Sequence, residues 1–375
     1  MCAAEASQAT DGQSSNASPT LKIGPHSLRV PIIQGGMGVR ISASGLAGAV
    51  AAAGGVGTIA TVGLGQSSSY YDGTNLFEAN VKALADELHR AREISPDGVI
   101  SANCMVALTD YDTLVRSAVE NGADIVTSGA GLPLKLPELT RDHPRVALVP
   151  IVSSLKAARV IMKRWNKKHG SLPDAVIVEE PATAGGHLGA RLEDVDAPEL
   201  RLERVVPEVV EYLRRDVRAD VPVIAAGGIW DREDVARAFG LGARGVQMAT
   251  RFVCTHECDA PDAFKAAYLE AGEEDVAVFM SPAGLPGRAI RNPFLRAVED
   301  GSAPEDGCFA NCLTHCTYQT EHKTFCIATA LVNAQRGDVD NGLIFCGAKV
   351  HRSSEIVHVR DIIDELFPPA ATDAG

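Results

Sequence analysis

The sequence predicts an α/β protein, a (β/α)8 TIM barrel carrying a smaller, mainly helical C-terminal domain. Three observations predict it. Eight short β-branched or apolar runs recur along the chain, amphipathic stretches rich in alanine, leucine and charge separate them, and most runs close on or lead into small or amide-bearing stretches, several of them glycine-rich. The runs are 31–34, 56–60, 98–103, 124–127, 146–151, 175–178, 221–225 and 245–248, with amphipathic stretches such as 75–92, 154–168, 202–215 and 232–239 between them. A crossover after each strand makes the sheet parallel. Eight such units in about 250 residues suit a closed barrel better than an open doubly wound sheet. The stretch "GGVGTIATVGLG" at 54–65 is rich in glycine but contains no G-x-G-x-x-G opening a helix, so the Rossmann fingerprint is absent.

With 375 residues, 46% of them hydrophobic, one large domain with an appendage fits better than several small ones. The opening "MCAAEASQATDGQSSNASPT" is small and polar, and a disordered tail is expected over 1–20. The barrel is expected over 21–275, the cysteine-rich substrate-side domain over 276–367 and a short tail over 368–375. A net charge of −13 without a basic cluster speaks against nucleic acid and anionic membrane as partners. No apolar run reaches the roughly 18 residues that span a bilayer, and the start lacks the basic and apolar regions of a signal peptide, so a cytoplasmic protein is expected. Five of the nine cysteines fall in the last fifth of the chain, unlike a disulfide scaffold.

In a barrel, chemistry belongs at the carboxyl ends of the strands. The residues there are "QGGMG" (34–38), Asn103, "SGAG" (128–131), "AGGH" (184–187), "AAGGI" (225–229) and "QMATRF" (247–252). One glycine after a strand is turn chemistry. Glycine at most of these ends instead lets backbone N–H groups approach a large, flat, polar ligand. The last two ends occupy the usual phosphate site of barrels, where the N–H groups of Gly227 and Gly228 and the N–H and hydroxyl of Thr250 can hold a phosphate.

In this order, "PIIQGGMG", "GGVGTIAT", "SGAG", "AGGHLG", "VPVIAAGGI", "GVQMATRF" and "GRAIRN" (287–292) resemble the nitronate monooxygenases, also called 2-nitropropane dioxygenases, a family similar in turn to FMN-dependent enoyl-acyl-carrier-protein reductases. The resemblance runs from about Val30 to Asn292. It implies an FMN-binding barrel with the active site between barrel and small domain. It sets Gly35, Gly36 and Met37 along the isoalloxazine ring and Asn103 near the ring's polar edge. Glu179 takes the place of a residue, often glutamine, that faces the flavin. Gly185, Gly186, Gly227 and Gly228 with Gln247, Met248, Ala249 and Thr250 surround the ribityl phosphate. His187 matches the family's active-site histidine. The glycine pair before it lets the loop lie against the flavin. A histidine titrates near neutral pH, so it can exchange a proton or, as a cation, hold an anionic substrate. FMN is expected rather than FAD, because no AMP-binding motif accompanies the phosphate site.

Three departures from the family pattern stand out. "EEPAT" (179–183) is a residue longer, Ala249 replaces a usual glycine, and "FCGAKVHRSS" (345–354) carries Ala348 where glutamine is usual. The run "CFANCLTHCTYQTEHKTFC" (308–326) has the spacing C-x3-C-x3-C-x9-C with His315 and His322 interleaved, which is neither a zinc-ribbon nor a ferredoxin spacing. On a helix this spacing puts Cys308, Cys312 and Cys316 on one face. They can pack as small apolar residues, bind a metal or iron–sulfur cluster together with Cys326, or form a redox-active thiol pair. Three functions remain open at this point. The first is oxidation of an alkyl nitronate with O2 to a carbonyl compound and nitrite. The second is NAD(P)H-dependent reduction of a quinone or an enoyl thioester, with "RAIRN" (288–292), Lys349 and Arg352 as a basic patch for an acyl-carrier protein. The third is a non-enzymatic flavin and thiol redox sensor.

Overall fold

The computed structural model describes residues 20–304, 307–308, 310–321 and 324–368. Apart from Thr20 and Pro368, the two terminal tails lie outside the described residues, as does His322.

Eight parallel strands form a closed barrel: Ile32–Gln34, Val56–Ala60, Val99–Met105, Ile125–Gly129, Ala147–Val152, Val176–Glu179, Val223–Ala226 and Gly245–Met248. They pair in chain order, and the eighth closes on the first through Val246 with Ile32, Gln247 with Ile33 and Met248 with Gln34. The expected strands are all present, with ends moved by a residue or two. One such shift matters, because it makes Glu179 the last residue of the sixth strand instead of the first of the loop. A hairpin, Leu21–Ile23 with His26–Leu28, adds Leu21, Ile23 and Leu28 to the apolar filling of the barrel.

Side chains alternate in and out along each strand, as the two-residue period of β structure requires. Ile33, Val149, Ile177 and Ile224 belong to the interior cluster, whereas Val178, Ala225 and Val246 pack outward under the helices. Two residues beyond an inward position the chain points inward again. Glu179 follows Ile177 in this way, and Gln247, next to outward Val246, faces the interior too. With Asn103 they make a polar last layer where the apolar filling ends.

The helices Leu76–Ile94, Leu155–His169, Leu202–Tyr212 and Arg232–Gly240 occupy the amphipathic stretches, and Ser44–Ala53 and Tyr111–Glu120 supply further crossovers. Their starts carry local signals. The Ser154 side chain accepts the Ala157 N–H, and Asp231 accepts the Glu233 and Asp234 N–H groups.

After the eighth strand the chain departs from the barrel. Strands Val276–Met280 and Pro286–Ile290 pair, and the two-residue strand Gly186–His187 joins them in an antiparallel sheet. Helices Pro293–Asp300, Thr317–Glu321 and Ile327–Gln335 follow. The last helix, Val359–Leu366, packs back against Ser44–Ala53 and Arg232–Gly240, where an eighth barrel helix belongs. The segment over 276–367 is therefore sheet as well as helix, and its final helix is part of the barrel wall.

The helical face expected for the cysteines is not formed. Cys308, Cys312 and Cys316 precede the helix Thr317–Glu321. Asn311 has a left-handed φ of 41°, the Thr314 N–H donates to the Ala107 carbonyl at 2.9 Å, and the Cys312 carbonyl accepts the Thr109 N–H at 3.0 Å. The loop after the third strand satisfies this backbone, so no i−4 ladder starts. Among the described residues no helix is long and apolar enough to cross a membrane.

Candidate active site

A cavity of about 270 Å³ opens over the carboxyl ends of the strands. The residues that the family resemblance assigned to cofactor or catalysis line it: Gly35, Gly36 and Met37 after the first strand, Asn103 on the third, Glu179 on the sixth, Gly185, Gly186 and His187 on the following loop, Gly227 and Gly228 after the seventh, and Gln247 to Thr250 at the eighth. Of the four candidate metal cysteines only Cys312 reaches it. Cys308 is exposed, Cys316 is half-buried and Cys326 is buried. Among the described residues no group of three or more His, Cys, Asp or Glu is arranged to hold a metal ion.

The glycines have a more local purpose than ligand approach alone. Gly227 and Gly228 adopt φ of +93° and +66°, and a Cβ on either would meet the Glu180 carbonyl or the Thr183 hydroxyl at 2.9 Å. They make room for the turn after the sixth strand. A Cβ on Gly185 would stand 2.6 Å from the Cys346 carbonyl carbon, so this position lets the histidine loop pack on the segment Cys346–Gly347. Arg288, 4% exposed, then locks the loop by donating to the carbonyls of Pro181 and Ala184.

His187 is held as one residue of a sheet. It pairs with Gly287, its Nε2 lies 2.8 Å from the Ser281 hydroxyl, and its ring meets Phe345 edge-on with centroids 5.1 Å apart. The Ser281 oxygen also accepts the Ala283 N–H, so the hydroxyl proton can point at Nε2. That arrangement favours the tautomer with the proton on Nδ1. Burial pulls the imidazole down to about 4. Desolvation therefore favours the neutral ring, which offers a hydrogen bond and not a positive charge.

A family model described as nitronate monooxygenase matches residues 20–368. The chain belongs to the nitronate monooxygenase family. A carboxyl-CoA dehydrogenase of Rhodococcus jostii, (3aS,4S,5R,7aS)-5-hydroxy-7a-methyl-1-oxo-octahydro-1H-indene-4-carboxyl-CoA dehydrogenase, is 31% identical over 206 residues, covering 52% of this chain and 53% of that protein. A probable nitronate monooxygenase of Staphylococcus saprophyticus is 27% identical over 200 residues, covering 52% of each. The chain thus aligns with about half the length of these curated relatives. The structure of FabK from Thermotoga maritima superposes with a TM-score of 0.69 at 28% identity, covering 90% of this chain and 92% of that one.

Members of the nitronate monooxygenase family are flavin oxidoreductases, and the residues present fit such a cofactor. Two buried polar atoms on the cavity wall, Thr183 Oγ1 and Gln247 Oε1, have no hydrogen-bond partner among the described residues. Buried polar atoms are normally satisfied, so these two await a ligand. The Thr250 hydroxyl accepts the Gly347 N–H at 3.0 Å, which leaves its proton to donate to a phosphate. Thr183 and Thr250 would hold the phosphate end, and Gln247, Asn103, Glu179 and His187, which line the same cavity, would contact the ring. When bound, the flavin supplies reversible two-electron transfer.

The opposite wall was not legible beforehand. Leu76, Phe77, Leu313, Ile327, Leu331 and Phe345 cover the cavity with apolar side chains. Ser281 carried no sequence signal, and for Thr183 the signal was the extra residue in "EEPAT". The suggested basic patch is not a free surface: Arg288 is buried, Lys349 pairs with Asp234 at 2.7 Å, Arg352 with Asp231 at 3.0 Å, and Arg291 with Glu299 at 3.1 Å.

Proposed function

We propose that this family member is an FMN-dependent monooxygenase that oxidises alkyl nitronates with O2 to a carbonyl compound and nitrite. The observation that carries the reading is the neutral His187, fixed by Ser281 and Phe345 over a floor of backbone and amides. Its Nδ1 has no protein partner among the described residues and can donate a hydrogen bond to an oxygen of the nitronate, orienting the anion without neutralising it. FMN is favoured over FAD because Thr183, Thr250, Gly227 and Gly228 gather at one phosphate-sized end and no AMP-binding motif accompanies them. The partners in this reading are a small-molecule substrate and O2.

NAD(P)H-dependent reduction of an enoyl thioester is the second reading. The apolar wall suits an acyl chain, and the similarity to a carboxyl-CoA dehydrogenase supports it. For Cys312, the one cysteine of the run that reaches the cavity, the thiol-sensor reading is disfavoured, since burial pushes its thiol up to about 12 while the thiolate is the reactive form. Oxygen consumption and nitrite release on propyl nitronate without NAD(P)H, set beside NAD(P)H oxidation without nitronate, separate the two enzymatic readings. Nitrite formation that accompanies oxygen uptake, with two nitrite per O2 by atom balance in the absence of a reductant, is expected. NAD(P)H oxidation with no response to nitronate would replace the monooxygenase by the reductase.

A further inference from the structure

Glu179 lines the cavity as an acid with nothing to pair with. Its backbone is fixed opposite Ala226 of the seventh strand, the strand's alternation turns it inward above Ile177, and its carboxyl has no hydrogen-bond or ion-pair partner among the described residues. The charged and titratable groups nearby are committed elsewhere. Glu180 is paired with Arg201 at 2.9 Å. Lys349 is held by Asp234, and Arg288 by two carbonyls. Asp110 accepts from the Asn80 amide at 3.0 Å. Tyr268 donates to the Phe345 carbonyl. His187 is neutral, and burial pushes the Cys346 thiol up to about 12. Asn103 and Gln247, which share the floor, carry no charge. Burial alone governs Glu179 and raises it to about 7.

The consequence rests on the flavin reading of this site. Two-electron reduction of a flavin with uptake of one proton leaves one additional negative charge on the ring system. In a partly enclosed cavity that charge repels a neighbouring carboxylate, and the nearby cations of the described residues, Lys349 and Arg288, are already held by Asp234 and by two carbonyls. We infer that Glu179 is a redox-linked proton acceptor: its carboxylate takes up one proton from solvent when the bound flavin is reduced, becoming the neutral acid, and releases it on reoxidation. The electrons come from the substrate or, in a titration, from dithionite. The only bond made or broken on the protein is the Glu179 O–H.

The test is the midpoint potential of the FMN-loaded protein from pH 6 to 9, titrated with dithionite against indicator dyes. For a two-electron couple each proton taken up adds about 30 mV per pH unit. Wild type is expected to change by about 60 mV per pH unit from near pH 7 upward, relaxing to about 30 mV at the alkaline end. Glu179→Gln should follow the shallower slope throughout, and His187→Ala should keep the wild-type profile. A loaded wild type with the shallow slope at every pH overturns the inference, and so does a Gln variant that keeps the steep one, because the proton then resides on the ring. Should the Gln variant lose its flavin, Glu179→Asp decides. A bend in the profile that moves with the changed carboxyl supports the assignment, and one that stays in place overturns it. A wild-type protein that takes up no FMN at all refutes the flavin reading itself, which is a separate outcome.

Discussion

The two walls of the cavity are built from opposite materials. The barrel side consists of backbone, glycine and amides at strand ends, and its shape is set by the closed sheet. The covering side consists of apolar side chains from 313–345 together with Leu76 and Phe77 at the start of a barrel helix, plus one histidine that reaches across from the barrel's own loop to join the cover's sheet. The barrel side can recognise only what is constant from turnover to turnover, a flat polar cofactor. The covering side touches what varies. On this division, barrel-side changes should act on flavin affinity, and covering-side changes on substrate.

The largest expected effect is at the point where the walls meet. His187→Ala should slow single-turnover flavin reduction by propyl nitronate by about 10²- to 10³-fold, the effect of losing one positioned hydrogen-bond donor, while flavin content stays at the wild-type level. Loss of flavin together with rate would show that the walls are not separable. Because burial holds this histidine at about 4, the wild-type rate should show no ionisation of His187 between pH 6 and 8. Next in size is Thr183→Val, which removes a hydroxyl proposed to meet a phosphate. FMN affinity, read by fluorescence titration, should weaken by about 10- to 100-fold, with the rate of the loaded enzyme kept. Leu331→Ala on the covering side should leave FMN affinity unchanged and raise KM for hexyl more than for propyl nitronate, by up to about tenfold. Equal effects on both substrates would mean the apolar wall is packing alone.

The smallest effect is on stability. A carboxyl raised from 4.5 to about 7 by folding binds more protons in the native than in the unfolded state between those values, so its contribution to stability is lost as pH rises through that window. In the flavin-free protein, Glu179→Gln should flatten the decline in Tm between pH 5 and 8. An unchanged profile would place the carboxyl in contact with solvent.

The contrast between the walls also explains what could be read beforehand. Barrel-side residues announce themselves because their constraint is written in residue type: Gly227 and Gly228 need left-handed backbone, and the end of an apolar run marks a strand's mouth. Leu313, Ile327 and Leu331 are apolar residues in a segment where apolar residues also make a core, and only tertiary packing turns them toward a cavity. The cysteine run misled for a related reason. A three-residue gap is compatible with a helix face, but Asn311 and the hydrogen bonds to Ala107 and Thr109 divert the backbone. The neutral state of His187 was equally invisible, since desolvation depends on Phe345 and the sheet, which lie about a hundred residues or more along the chain.

The return of the last helix to the barrel makes the covering segment an insertion anchored at both ends, between the eighth strand and the helix that completes the eighth unit. The entropy of closing such an excursion grows only with the logarithm of its length. Lengthening or trimming the cover therefore carries little closure penalty, provided that its contacts with the barrel loops, such as Arg288 with Pro181 and Ala184, are kept. One flavin platform can host many substrate chambers, and a cover transplanted between the Gly245–Met248 strand and the Val359–Leu366 helix should carry its specificity with it.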